Sequence, residues 1–75
     1  GAMEARPLRD VRRRNLYTID ALAKAAKVST KTIVEIEHGR QTPHLGTIRK
    51  ISTALEVDPL EVVEFVEAIE GKLAA

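Results

Sequence analysis

The stretch that decides the fold is TIDALAKAAKVSTKTIVEIEHG, residues 18–39. It predicts two short helices joined by a tight turn, because apolar residues recur at helical spacing on both sides of Lys27. Thr18 and Ser29 are placed to cap these helices through their hydroxyl groups. Ala23 is small enough to let the second helix approach closely. Two helices arranged in this way form a rigid unit of the kind that enters the major groove of DNA.

Helical spacing also continues on both sides of this unit. Pro7 suits the first position of a helix that ends near Asn15, and another helix is expected over 45–55. The series Asp58, Pro59 and Glu61 is typical of a helix start and predicts a last helix over about 59–70, broken at Gly71. The sequence therefore predicts an all-α fold of five short helices. In the first helix Leu8, Val11 and Arg12 share one face. The residues expected to face the core are Leu22, Ala25, Ala26, Ile33, Ile36, Ile48, Ile51, Ala54 and Leu55.

Length and composition limit the possible functions. The 75 residues suffice for one small domain and include no cysteine, which excludes disulfides, thiolate metal sites and thiol nucleophiles. We interpret residues 1–3 as an expression scar and start methionine, and residues 4–75 as a single domain. No apolar run approaches the ~20 residues of a membrane span and no signal peptide is visible, so we expect a soluble, cytoplasmic protein without membrane contact.

The net charge of +1 conceals a strong asymmetry along the chain. Residues 1–50 contain 11 Lys or Arg and five Asp or Glu, whereas residues 51–75 contain one Lys and six acids. The first part can therefore approach a polyanion and the second cannot. The alternative is ordinary solvated charge without a partner.

The helix-turn-helix unit and the segments beside it contain Leu22-Ala23, Val28-Ser29, Ile33, Ile36-Glu37, Gly39, Pro43, Ala54-Leu55, Val57-Asp58 and Leu60. With these residues at these spacings, the chain resembles the Cro/repressor-type (XRE) helix-turn-helix family of DNA-binding domains over roughly residues 8–63. This resemblance implies a lambda-repressor-like, compact five-helix domain whose third helix, about 29–38, enters the major groove, with the second helix over about 18–26. It also implies a structural salt bridge between Arg12 and Glu37, and a planar, bidentate Arg suits that role.

Two positions depart from the family pattern. Lys27 occupies a turn position where the family often has glycine, and where we expect a positive φ that costs about 1 kcal/mol for a residue other than glycine. Ile19 stands where the family often has a glutamine that reaches a phosphate. One backbone contact of the family is therefore not expected here.

The outward positions of the third helix predict its DNA contacts. Base contacts are expected from Lys31 to guanine, from Glu35 to a cytosine amine and from Thr30 or Val34 to thymine or other base edges. The alternative for Lys31 and Glu35 is a solvent-exposed i, i+4 ion pair that stabilises the helix by a few tenths of a kcal/mol. Arg9, Arg13 and Arg14 add electrostatic attraction. Phosphate contacts are expected from Lys27, Ser29, Thr32, His38 and Arg40.

The last helix has a broad apolar arc, which spans about 160° of its circumference. Such a surplus of apolar surface predicts a homodimer, whose two recognition helices would lie about 34 Å apart on an inverted-repeat site. The alternative is that the whole arc closes the core of the monomer. The residues expected in the dimer interface are Val62, Phe65, Val66 and Ile69.

No pattern of residues predicts catalysis. His38 and His44 lack the spacing of a metal site, and no nucleophile with a base or phosphate-binding glycine loop is visible. We expect no enzyme activity, no metal, no cofactor and no small-molecule ligand. The expected function is sequence-specific binding of double-stranded DNA by a small transcriptional regulator, a repressor acting by occlusion. The alternative is a protein-interaction module or antitoxin-type partner protein with the same fold.

Overall fold

The computed structural model describes residues 4–73, which form five α-helices and one turn of 3₁₀ helix. The α-helices are α1 (Leu8–Arg14), α2 (Ile19–Ala26), α3 (Thr30–Glu37), α4 (Leu45–Leu55) and α5 (Val63–Leu73), and the 3₁₀ turn is Pro59–Glu61. The predicted all-α, five-helix class is confirmed. The proposed scar at residues 1–3 lies outside the described residues.

The core is built from the inward faces of all five helices. The two alanines that face it in α2, Ala23 and Ala26, are small and let α3 and α4 pack against that helix. Ala25, also expected inside, is exposed, because the buried positions of α2 follow the i, i+4 series of Leu22 and Ala26. Ala54 is only partly buried. The buried apolar residues are Leu8, Val11, Leu22, Ala23, Ala26, Ile33, Ile36, Ile48, Ile51, Leu55, Val62, Phe65 and Ala68.

Four helices end in the same kind of hydrogen-bonded reversal. Leu16, Lys27, Gly39 and Glu56 adopt the left-handed conformation, with φ between 57° and 70°. In each case the N–H of the next residue donates to a carbonyl five positions back, as from Val28 to Ala23 at 3.0 Å. The positive φ expected at Lys27 is therefore present. Leu16 and Glu56 also have a positive φ. Because neither is a glycine, the sequence did not predict a positive φ at these two positions.

The start of α1 depends on the other end of the chain. Pro7 is the N-cap residue of α1 rather than its first helical residue, and it has no side chain that can cap. The Glu64 carboxylate of α5 accepts the Leu8 N–H at 2.8 Å instead. Arg6 forms an isolated parallel bridge with Val62, through hydrogen bonds to Glu61 and Val63. The first residues are thus attached to the beginning of α5.

The last helix begins later and ends later than the predicted 59–70. Asp58 and Glu61 form the expected capping box, but it closes only the 3₁₀ turn. Val62 is extended, with φ −114° and ψ 119°, because it is buried and sits in the bridge with Arg6. The α-helix begins at Val63 and continues through Gly71, which has no positive φ, to Leu73.

Candidate nucleic-acid interface

The leading end of α3 is exposed and carries no acidic residue in its first turn. Ile33 and Ile36 are fully buried and attach the helix to the core. On the other side, Thr30 and Lys31 are exposed to solvent. Ser29 caps the helix by accepting the Thr32 N–H at 3.1 Å, and the two hydroxyls lie 2.8 Å apart. The first turn of α3 therefore combines a fixed backbone with free side chains.

The second turn of α3 is less exposed than its first. Val34 and Glu35 are both only partly accessible. The Glu35 carboxylate lies 3.7 Å from Nη1 of Arg40, and not beside Lys31. The i, i+4 pair between Lys31 and Glu35 is therefore absent from the described residues, and Lys31 has no carboxylate partner there.

Cationic and polar groups lie at both ends of the helix-turn-helix unit. Lys27 and Arg40 are exposed, in the turn before α3 and just after its end respectively. His38 Nδ1 lies 2.9 Å from the Val34 carbonyl oxygen. Because a carbonyl oxygen only accepts, we assign the proton to Nδ1, which leaves Nε2 as an acceptor in the neutral ring and as a donor in the imidazolium.

A buried ion pair joins α3 to α1. Arg12 Nε donates to Glu37 Oε2 at 2.7 Å, and Nη2 donates to Oε1 at 3.2 Å. The remaining Nη1 donates to the Tyr17 carbonyl at 3.0 Å. The Arg12 and Glu37 side chains are only 8% and 6% exposed. The pair that the resemblance implied thus holds the C-terminal end of α3 against α1 and leaves little of either group for DNA.

A hollow of about 260 Å³ separates α1, the start of α2 and the end of α3. Since Arg12 and Glu37 neutralise each other, its remaining cationic groups are Arg9 and Arg13, with His38 beside them. Arg14 does not line it. Ile19, the residue that departs from the family pattern, supplies an apolar wall. Of the four arginines of α1, one is paired with Glu37, two line the hollow as its cationic groups and one lies outside it.

The predicted dimer residues do not form one surface. Val62 and Phe65 are fully buried in the core of the monomer, so their assignment to a dimer interface was wrong. Val62 precedes α5 and is held in the bridge with Arg6, and Phe65 lies on the face of α5 that is turned toward the core. Val66 and Ile69 are partly exposed. The arc predicted from the sequence is thus divided between core and surface.

An apolar groove between α4 and α5 was missed by the sequence interpretation. Its volume is about 620 Å³, and Ile69 lines it together with Leu45 and Leu73, which are 41% and 71% exposed. The only sequence signal for this groove was Leu45 at the start of α4. Leu45 indicates a groove only once α5 is known to lie beside it. The other residues that line the groove are Ile48, Arg49, Ser52, Thr53, Glu56, Val57 and Pro59.

Among residues 4–73 no three His, Asp or Glu side chains come close enough together to hold a metal ion. Within the same range, every helix is too short or too polar to span a membrane.

Comparison with known families agrees with this geometry. A family model described as helix-turn-helix matches residues 8–62, well over half of the chain. The protein belongs to this family, the XRE-type helix-turn-helix domains, which are DNA-binding domains. No curated protein and no solved structure matches the chain.

Proposed function

We propose that this protein binds double-stranded DNA sequence-specifically, with α3 in the major groove, and acts in the cytoplasm as a small transcriptional repressor that occludes its site. The observation that supports this most directly is the exposed, acid-free first turn of α3 on a helix anchored by the Arg12–Glu37 pair. An anchored helix can place its side chains against bases without a large entropic cost on binding. No enzymatic step is part of the proposal.

Base recognition is assigned to the outward positions of α3. Lys31 is the main candidate, since its free ammonium group can donate to guanine O6 or N7. Thr30 can hydrogen-bond a base edge or pack its methyl group on thymine, and Val34 can make the same apolar contact. Glu35 can accept from the N4 amine of cytosine once the duplex is bound.

Phosphate contacts position the helix in the groove. We assign them to Lys27 before α3, to Ser29 and Thr32 at its start, and to His38 and Arg40 at its end, all at least partly exposed. The hollow beside His38 adds Arg9 and Arg13 to this set, because their positive charge suits a phosphate group. These cations replace the contact that Ile19 cannot make.

The proposal is tested by selecting bound sites from random duplex DNA and then measuring affinity for the selected site at several salt concentrations. We expect log K to fall with log salt by about 0.9 for each phosphate contact. Binding that selects no sequence, or that does not respond to salt, would contradict the proposal. The second result favours a protein partner, the function that the apolar groove between α4 and α5 supports as an alternative.

Lys31→Ala is expected to remove the preference for guanine at one position of the selected site, a loss of about 1–3 kcal/mol in discrimination. The reason is that Lys31 has no carboxylate partner within residues 4–73, so its ammonium group is available to a base. Repeating the selection with the variant measures the effect. Lys72→Ala, an exposed lysine at the end of α5, is the matched control and keeps the wild-type preference. An unchanged site with Lys31→Ala would remove this residue from the base contacts.

A homodimer is the second part of the proposal, with Val66 and Ile69 retained from the predicted interface and Leu45 and Leu73 added. In a two-fold dimer, the groove of one copy faces the same groove of the other copy. The groove carries Arg49 and Glu56, so that each copy can set its arginine opposite the acid of the other. The two α3 helices would then read half-sites one turn of the duplex apart.

Leu73→Asp is expected to convert this dimer into a monomer, because it places a charge in an apolar interface. Sedimentation equilibrium measures the mass. Leu16→Asp is the matched control: Leu16 is 92% exposed, lies outside the groove and has a positive φ that Asp tolerates. A wild-type protein that is monomeric at high concentration would reject the dimer and leave the groove for a different partner.

A further inference from the structure

Of the two acidic side chains on α3, the proposed DNA-reading helix, Glu35 has unusual surroundings. The Glu35 side chain is 23% exposed, and its Oε2 atom is buried without a hydrogen-bond partner among the described residues. The nearest cation, Nη1 of Arg40, is 3.7 Å from this oxygen, which is beyond the usual hydrogen-bond range. The guanidinium group therefore offsets the charge of the carboxylate while leaving its capacity to accept a hydrogen bond unused.

The backbone holds Arg40 in this place. Gly39 has a φ of 70°, and the Arg40 N–H donates to the Glu35 carbonyl at 2.8 Å. This reversal brings residue 40 back beside residue 35. The Arg40 side chain is nevertheless 67% exposed, so its guanidinium group can turn toward solvent without breaking a hydrogen bond to Glu35.

We propose that Arg40 masks the Glu35 carboxylate in the unbound protein and leaves it when a duplex binds, moving to a phosphate while Glu35 accepts a base amine. This inference rests on the proposed function. On a duplex without that amine, the Glu35 carboxylate stays paired with Arg40. The contact of Arg40 with a phosphate is then weakened. The pair therefore couples recognition of one base to a contact with the DNA backbone.

The coupling has a physical cause. A carboxylate within a few ångströms of the duplex is closer than the screening length of about 8 Å at physiological salt, so that it repels the phosphates unless a cation or an amine is beside it. With Arg40 present, the guanidinium group supplies the cation. In the Arg40→Ala variant, only the base amine can pair with the Glu35 carboxylate. A duplex with an incorrect base then leaves this carboxylate unpaired.

The test is a double-mutant cycle with Glu35→Gln, Arg40→Ala and the double variant, on the selected duplex and on a scrambled duplex. On the scrambled duplex we expect Glu35→Gln to raise affinity more in the Arg40→Ala background than in the wild type, by about threefold or more. On selection from random DNA, Glu35→Gln alone loses its preference at one base pair, by about tenfold or more. Arg40→Ala lowers the salt slope by about 0.9.

Arg14→Ala is the control for the arginine, since Arg14 is exposed, lies outside the hollow and forms no ion pair with Glu35 among the described residues. In the Arg14→Ala background, Glu35→Gln is expected to change the affinity for the scrambled duplex by the same factor as in the wild type. An equal effect of Glu35→Gln with and without Arg40 would overturn the masking, and an unchanged selected site would overturn the base contact. A wild-type protein that binds no duplex would reject the proposed function and this inference with it. Thermal unfolding of each variant shows that it remains folded.

Discussion

Arg12→Ala is expected to remove a large share of the stability of the protein at 25 °C. The substitution leaves the Glu37 carboxylate buried without its partner, and removing one member of a buried ion pair costs about 3–5 kcal/mol. A domain of this size has a total free energy of unfolding of about 4–11 kcal/mol. The loss is therefore a large share of the whole. Urea unfolding followed by circular dichroism measures it.

Two variants separate the cost of the unpaired carboxylate from the value of the pair itself. Arg13→Ala removes the neighbouring, exposed arginine and is expected to change the unfolding midpoint little. The double variant Arg12→Met/Glu37→Leu replaces both buried charges with apolar groups and is expected to recover most of the lost stability. If Arg12→Ala unfolds at the same urea concentration as Arg13→Ala, the pair does not hold α3 against α1.

Phe65→Ala is expected to destabilise the monomer by about 3–5 kcal/mol, the usual cost of emptying the site of a buried aromatic ring. Phe65 is fully buried and is the largest of the fully buried side chains. If it lay in a dimer interface instead, the substitution would lower association and spare the fold of the monomer. Unfolding at several protein concentrations distinguishes these two outcomes.

Leu73→Ala is the matched control for this prediction. Leu73 lies on the same helix but is 71% exposed, so the truncation is expected to leave the stability of the monomer nearly unchanged and to weaken the dimer. A loss of stability with Leu73→Ala as large as with Phe65→Ala would contradict the division of α5 into a core face and an interface face.

Local signals in the sequence were sufficient to predict the helix-turn-helix unit. The hydroxyls of Thr18 and Ser29 cap α2 and α3 through residues only three positions away, and Ile33 and Ile36 are buried as their spacing predicts. The positive φ at Lys27 is also local, since one residue has to reverse the chain between two helices. Interactions of this range are determined by neighbours along the chain, which the sequence displays directly.

Only the tertiary structure decided which face of α5 is covered. The apolar arc of that helix is wide enough for a core and for an interface, and periodicity cannot distinguish them. Packing against the other helices places Val62 and Phe65 inside and leaves Ile69 and Leu73 in the groove. The extended conformation of Val62, and with it the start of α5, likewise depends on the bridge to Arg6, 56 residues earlier in the chain.

The charged residues also divide into partners that the sequence predicted and partners that only the structure revealed. Sequence resemblance was enough to pair Arg12 with Glu37, because the family pattern contains both positions. It did not indicate that Glu64 caps α1, since those residues meet only after the chain has folded back on itself. The sequence by itself therefore determined the helix-turn-helix unit, through contacts within one or two helical turns. The tertiary structure decided burial and charge partners, which depend on residues that are distant in the chain and adjacent in space.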